Sequence, residues 1–424
     1  MKAVVVGGGI GGLVLAHYLI KRGIEVELFE ASEELGGLCR FYQLPHWSWS
    51  LEGFFHHFFP SDRHFKQLLE DLNLADSLIY RRVQTSVYYQ GSIYQFDSPK
   101  SVWQFPHLSL IDKVRMGLGI GFLRYFPFWP LWRYFNTVDL MPLLIGKKSW
   151  RTIWQPLLEG KFGSLAKEVS LVWFWSRLKV RTPQLGYLKS GSRILVEKLV
   201  QRIEEARGKI HLEAPITRLR KVNKKWHLFS GGGLVSQADR VFLTLPLPRA
   251  LDLIGEELLI ARNKINSWRK LKMIGAATLV LRLKRPFLPG QTYWLNILDR
   301  NFPFIVIVEH TNFIEPKHYG NESIVYVGGY YSPDQAIFRW DQKRIFSHFS
   351  PYLRRINPSF ERFLIDYRVF RSRWAQPIIP KHYSPPRIEL EPNSLYWLTT
   401  HHIYPWDRGV NFAIQLAQQA ARLV

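Results

Sequence analysis

The chain opens on an apolar run, Ala3-Val4-Val5-Val6, followed by a glycine block and a second apolar stretch with helical spacing. Residues 2–6 read as a strand buried on both faces, Gly7 to Gly12 as a turn, and Leu13 to Arg22 as a helix. Lys21 and Arg22 fall in its last turn, and Gly23 is its stop signal. Glu25 to Glu30 then alternates as a second strand, which completes a β-α-β unit. Phe65 to Leu74 has the pattern of a short amphipathic helix, and Ser86 to Phe96 that of a hairpin turning at Gln90-Gly91.

Between Leu108 and Leu178 helical periodicity dominates, and Pro127, Pro130, Pro142 and Pro156 are expected to break it. Tryptophans gather there at 129, 132, 150, 154, 173 and 175. A helix over Ile194 to Ala206 precedes strands at 210–212, 216–222, 226–229 and 241–245, the last ended by Pro246 and Pro248. Strands recur at 276–283, 304–309, 323–330 and 395–399, and a helix from Val410 to Leu423 closes the chain. This order predicts an α/β protein in which the first lobe is assembled from separated segments. Residues 1–85, 190–248 and 390–424 would form that lobe. Residues 86–189 and 249–389 would form a second, α+β lobe, with 108–180 as its helical insert.

Composition narrows the class. Hydrophobic residues are 47% and aromatics 15% of 424 residues, which excludes a disordered chain. Cys39 is the single cysteine, so there is no internal disulfide, as expected in a reducing compartment. The opening run superficially resembles a signal peptide, but its glycines and the lack of a small-residue cleavage site set that reading aside. No uncharged apolar run approaches the roughly eighteen residues of a spanning helix. The expected location is therefore cytoplasmic and peripheral to a membrane. A formal charge of +23 attracts polyanions, and an anionic membrane surface is the expected partner in preference to nucleic acid.

The candidate chemistry starts in the glycine block. Gly7-Gly8-Gly9-Ile10-Gly11-Gly12 contains G-x-G-x-x-G between strand and helix. Gly7 permits the tight turn, Gly9 lets the backbone approach a pyrophosphate, and Gly12 lets helix and strand pack closely. Gly11 belongs to the same cradle, where free helix N–H groups hold phosphate. Glu30 sits where a carboxylate can accept hydrogen bonds from ribose hydroxyls. A second pair, Gly36-Gly37, follows with Arg40 close behind; a purely nicotinamide-binding unit has no need of glycines there.

These runs resemble the protoporphyrinogen oxidase, phytoene desaturase and flavin amine oxidase superfamily. Several further segments resemble its protoporphyrinogen-oxidase-like branch: Gly53-Phe54-Phe55-His56-His57-Phe58-Phe59, Trp154 to Gly163, Leu185-Gly186-Tyr187-Leu188, and Ile403 to Asn411. The resemblance implies a Rossmann-like, discontinuous FAD-binding domain beside a substrate domain. Gly36 and Gly37 would pass over the FAD, Arg40 would reach a phosphate, and Ile216, Asp407 and Asn411 would be further contacts. Asp407 reads equally as an N-cap. The superfamily's Gly-Asp pair after the last strand is replaced by Thr399-Thr400-His401-His402. A lysine that amine oxidases carry on a substrate-lobe strand is missing from 276–280.

Other features stay open at this stage. His56-His57 and His401-His402 invite a metal reading, but adjacent residues on an extended chain face opposite ways, and no metal is expected. Residues 116–135 mix arginine with dense aromatics, the pattern of an interfacial membrane segment or of a lobe core. The leading expectation is an FAD-dependent dehydrogenase, oxidase or desaturase that takes hydride from a lipophilic, conjugated or isoprenoid-type substrate. Oxygen, a quinone or another acceptor would take the electrons, and no catalytic base is assigned. The rivals are a non-redox flavoenzyme resembling UDP-galactopyranose mutase, and a basic membrane- or nucleic-acid-binding protein with a degenerate nucleotide site.

Overall fold

Apolar residues on both sides of a strand demand cover on both faces, and β1 (Lys2–Val6) has it. In the computed structural model, which describes residues 1–254 and 262–424, Ala3, Val4 and Val5 are wholly buried. Residues 255–261 of the expected substrate segment lie outside the described residues. β1 pairs in parallel with β2 (Glu25–Phe29) on one side and with the 240–243 strand on the other. The full sheet runs in the order 389–391, 395–397, 240–243, β1, β2, 209–211, and only the 389–391 edge is antiparallel. On one face lie α1 (Ile10–Lys21), the Arg193–Glu205 helix and the C-terminal helix Val410–Ala421. On the other lies a three-stranded antiparallel sheet over residues 218–238, with the Leu247–Ile254 helix. The result is a doubly covered, mostly parallel sheet of the α/β type.

A second sheet has seven strands in the order 364–377, 273–283, 323–331, 306–309, 292–297, 84–89, 92–95. All neighbours are antiparallel except 292–297 with 84–89. Its second strand, Met273–Leu283, is buried along its whole length. The Gln342–Ile356 helix covers one face through Ile345, Phe349 and Leu353.

Several boundaries differ from expectation for physical reasons. α1 begins at Ile10 rather than Leu13, so Gly11 and Gly12 lie inside its first turn; tight packing overrides the poor helix propensity of glycine. The strand expected at 216–222 begins at Arg218, which leaves Ile216 just outside it. Pro142 does not break its helix: it sits within Thr137–Ile145. Pro156 stands at the start of the Gln155–Phe162 helix, where no intrahelical N–H is required. The Leu364–Pro377 strand and the Gln342–Ile356 helix were not expected at all.

The helical insert sorts residues 116–135 by face. Met116, Leu123 and Trp132 are buried, whereas Leu118, Tyr125 and Phe128 are 71%, 73% and 65% exposed. Leu110, Ile111, Val114 and Phe122 of the same Leu110–Tyr125 helix are also exposed, as are Leu131, Tyr134 and Leu143. A purely core reading of the stretch is thus incorrect. Beneath this face Trp129, Trp175, Trp406 and Phe412 stack ring on ring, with centroid spacings of 5.2, 5.6 and 5.5 Å. Among the described residues no helix is long and apolar enough to cross a membrane.

Candidate active site

The glycine turn is built on contacts that exclude a Cβ. Gly7 has φ +114, and Thr244, just past the 240–243 strand, donates to its carbonyl at 2.8 Å. A Cβ on Gly12 would lie 2.0 Å from the Gly7 oxygen. Gly8 is closed off in the same way, 2.5 Å from Leu35, and sequence reasoning left it out of the candidate set. Gly36, at φ +100, donates to the Gly8 carbonyl at 2.9 Å, and a Cβ on Gly37 would meet the Gly9 Cα at 3.1 Å. The two glycine pairs therefore lie backbone against backbone.

What remains open is informative. Gly9, the N-cap of α1, provides no side-chain cap, and no acidic residue lies in the first turn, so the leading N–H groups keep their donor capacity. A Cβ on Gly11 would meet nothing within 4 Å. That is an uncapped, Cβ-free anion cradle. Glu30 closes one side: it accepts from the Gly8 N–H at 2.6 Å and from Ser32 N and Oγ at 3.0 and 2.8 Å. The segment leading to Ile216 runs alongside, since Ala214 N–H donates to the Glu30 carbonyl at 2.9 Å. The Ile216 side chain packs into the core beneath. Thr400, beyond the 395–397 strand, buries a hydroxyl oxygen that has no protein partner among the described residues. These features fit an extended dinucleotide.

Arg40 points elsewhere in part. Its guanidinium donates to the Arg371 carbonyl at 2.8 Å and lies between the Phe54 and Phe370 rings, with Nε buried and unpartnered. Cys39 is buried, and burial pushes its thiol up to about 12. Asn411 is buried, and its side-chain oxygen accepts from Phe65 N–H at 3.1 Å, one of the first-turn donors of the Arg63–Asp71 helix.

Asp407 is not an N-cap. The C-terminal helix starts at Gly409 without a side-chain cap, and Asp407 faces the helical insert instead. Trp173 Nε1 and Gln376 Nε2 donate to one oxygen at 2.9 and 3.0 Å, and Arg177 donates to the other at 2.6 Å. Lys161 Nζ approaches that second oxygen at 4.0 Å, over the rings of Trp173 and Tyr330. Arg408 is held by Gln376 at 2.9 Å and by the Tyr330 hydroxyl at 2.6 Å. Burial alone would raise the Asp407 carboxyl, but Lys161, Arg177 and Arg408 hold it well below the usual carboxylate range. Burial drives Lys161 down despite Asp407. Lys161 stands on the Gln155–Phe162 helix, and no sequence spacing linked it to Asp407.

His56 and His57 face the same region. His56 Nδ1–H donates to the Phe54 carbonyl at 2.8 Å, and His57 Nε2 pairs with the Tyr293 hydroxyl. Burial, then neighbouring positive charge, lowers them to about 4 and about 3, so both are neutral at physiological pH. Among the described residues no His, Cys, Asp and Glu group could hold a metal.

The model of flavin containing amine oxidoreductases matches residues 10–424. The chain belongs to that family. As a family member it is an FAD-dependent oxidoreductase, and FAD is its cofactor. The fold is similar to that of a protein from Exiguobacterium sp. 255-15 assigned as protoporphyrinogen oxidase: TM-score 0.77, 16% identity, 99% of this chain and 98% of that one. It is also similar to reduced UDP-galactopyranose mutase: TM-score 0.75, 13% identity, 100% and 96% of the two chains. A 4,4'-diapolycopen-4-al dehydrogenase of Metabacillus indicus is 54% identical over 41 residues, 10% of this chain and 8% of that protein.

Two substitutions test this geometry. Gly11→Ala has room within the protein, so apoprotein stability should stay within about 1 kcal/mol of wild type. FAD affinity should fall about tenfold, roughly 1.4 kcal/mol, if the diphosphate fills that space; flavin titration of the apoprotein reads both. Asp407→Asn removes the carboxylate partner of buried Lys161 and half-buried Arg177 and should cost about 3 kcal/mol, the low end for a buried pair because Arg177 reaches solvent. Because the Asp407 pKa is depressed by folding, that difference is complete above about pH 4, the ordinary Asp range, and shrinks as pH falls below it. Thermal melts of both proteins across pH measure it.

Proposed function

We propose that this oxidoreductase removes hydride from a lipophilic, conjugated or isoprenoid-type substrate that reaches the flavin from a membrane surface. The observation that carries the reading is the exposed apolar face of the helical insert, with Ile111 80% exposed and Leu118 and Phe128 close behind. Contiguous apolar surface of this kind is costly in water and is typical of a protein or membrane contact. Exposed Arg115, Lys147, Lys148 and Lys179 on the same insert complement anionic headgroups. The likeness of a short segment to the diapolycopenal dehydrogenase supports the substrate class.

In this reading the segments 1–85, 190–248 and 390–424 hold the cofactor, and 86–189 with 249–389 hold the substrate. Gly7, Gly9, Gly11 and Gly12 receive the diphosphate, Glu30 the ribose, and the segment at Ile216 the adenine end. Gly36, Gly37 and Arg40 cover the cofactor, and the helix start at Asp407 to Asn411 lies at its flavin end. FAD supplies the hydride acceptor when bound. The chain positions the substrate C–H bond, excludes water with Phe54, Phe55 and Tyr330, and keeps His56 and His57 uncharged. Oxygen or a quinone takes the electrons afterwards.

Anaerobic mixing of the holoenzyme with detergent-dispersed phytoene tests the substrate class. The flavin band near roughly 450 nm should bleach, while cyclohexylamine leaves it unchanged; bleaching by the amine alone would overturn the reading. Turnover seen only after chemical reduction, with no net oxidation, would favour a mutase-like role. For the membrane contact, wild type should co-sediment with phosphatidylglycerol vesicles. Ile111→Ser with Leu118→Ser should weaken that binding about tenfold or more, from the apolar area lost, with the melting temperature unchanged.

A further inference from the structure

The polar cluster at Asp407 carries more positive charge than it can neutralise. Lys161, Arg177 and Arg408 converge on it, and Arg181 lies within Coulombic range of Arg177, Asp407 and Lys161. Among the described residues, Asp407 is the sole carboxylate that pairs with any of these four cations. Its oxygens are already taken by Trp173, Arg177 and Gln376. Arg408 has only neutral acceptors, Gln376 and Tyr330.

Two of the cations are unsatisfied in a stronger sense. Lys161 is 8% exposed, and its amino group makes no hydrogen bond within the described protein, only the 4.0 Å approach to Asp407 and ring contacts. An ammonium has three donors to satisfy. The Arg181 guanidinium makes no hydrogen bond or ion pair among the described residues. Arg181 keeps open surface, yet protein surrounds it closely enough that burial and Arg177 lower it to about 10. His57 lies within Coulombic range of Arg181.

Buried cations left unpaired are expensive, by several kcal/mol each. Of the four, Lys161 alone is buried. With half-buried Arg177 and Arg408 and exposed Arg181 near a single carboxylate, the cluster holds positive charge in excess, and a negative group would offset it. The FAD diphosphate has its own donors at the start of α1, on the other sheet. Lys161 and Arg177 instead stand on the Gln155–Phe162 and Leu171–Val180 helices of the insert, Arg181 follows the second of them, and Arg408 precedes the C-terminal helix. Arg124, at the end of the exposed Leu110–Tyr125 helix, donates to the Arg181 carbonyl at 3.1 Å, which ties the apolar face to the mouth of the cluster.

We infer that Lys161, Arg177, Arg181 and Arg408 form a subsite for an oxyanion, a carboxylate or phosphate, carried by the otherwise apolar substrate. This rests on the reading above that the enzyme takes a lipophilic molecule, and adds that the molecule is an acidic amphiphile. Arg177 and Arg408 are fixed by their partners and supply directed donors. Lys161 and Arg181 are the groups free to close on the anion. The subsite would hold the head group while the chain lies along the aromatic wall, which selects which C–H bond meets the flavin.

Titration calorimetry of the holoenzyme in detergent tests this with retinoate, methyl retinoate and inorganic pyrophosphate. Retinoate should bind about tenfold or more tightly than its ester, the scale expected for charge-assisted hydrogen bonds. Arg181→Gln should reduce that preference, and Arg181→Gln with Lys161→Met should abolish it, while ester affinity and flavin content stay near wild type. Arg181→Lys should keep most of the preference, which separates loss of charge from loss of fold. Equal affinity for acid and ester in wild type would overturn the proposal. So would tight pyrophosphate binding that leaves retinoate affinity unchanged in competition. A flavin potential that shifts in Arg181→Gln without any change in acid preference would assign the cluster to the reduced cofactor instead. These outcomes are independent of whether phytoene bleaches the flavin, so failure of the subsite and failure of the hydride-removal reading are told apart.

Discussion

The arrangement of this protein depends on two places where main chain meets main chain with no side chain between. Gly12 in the first turn of α1 sits against the carbonyl of Gly7, which fixes how the helix leaves the end of β1. Gly37 sits against Gly9, which fixes the second loop on the first. The C-terminal helix packs on α1, so the position of its start, and of Asp407 and Arg408 before it, follows from the same contact. Each of these approaches tolerates no Cβ without a shift of backbone.

The opening β-α-β unit was largely legible because its signals are local. Alternation, glycine spacing and an acid at the strand end fall within the first forty residues, and the structure closes them into one unit. The errors came where the signal is spread over distance. Leu364–Pro377 is interrupted by Arg368, Arg371 and Arg373 and becomes a strand by pairing with Met273–Leu283. Gln342–Ile356 contains Pro351, yet its apolar residues at 345, 349 and 353 find the sheet and hold the helix. The cationic cluster was invisible for the same reason: Lys161 and Arg408 are far apart in sequence, and no spacing rule links them. Gly8 was passed over because the motif names only its neighbours.

The net charge of +23 acquires two locations in the folded chain. Part lies on the exposed insert, in water, where each ion pair contributes little. Part is drawn inward, where Asp407 is outnumbered and the dielectric is low, so each charge acts over a longer range. The same insert therefore presents an apolar surface outward and contributes Lys161 and Arg177 to a cationic cluster inward. That pairing suits a molecule with a long hydrocarbon body and a charged end.

The stacked rings of Trp129, Trp175, Trp406 and Phe412 join three stretches of chain that are remote in sequence. Flat rings in register resist sliding, so the insert and the C-terminal tail are constrained to drift together over evolutionary time. A change of ring at one of these positions would require a compensating change at the next. Relatives that replace the insert wholesale should then also differ in the residues just before the last helix. Divergence of the outer surface is thereby coupled to the segment that precedes the last helix.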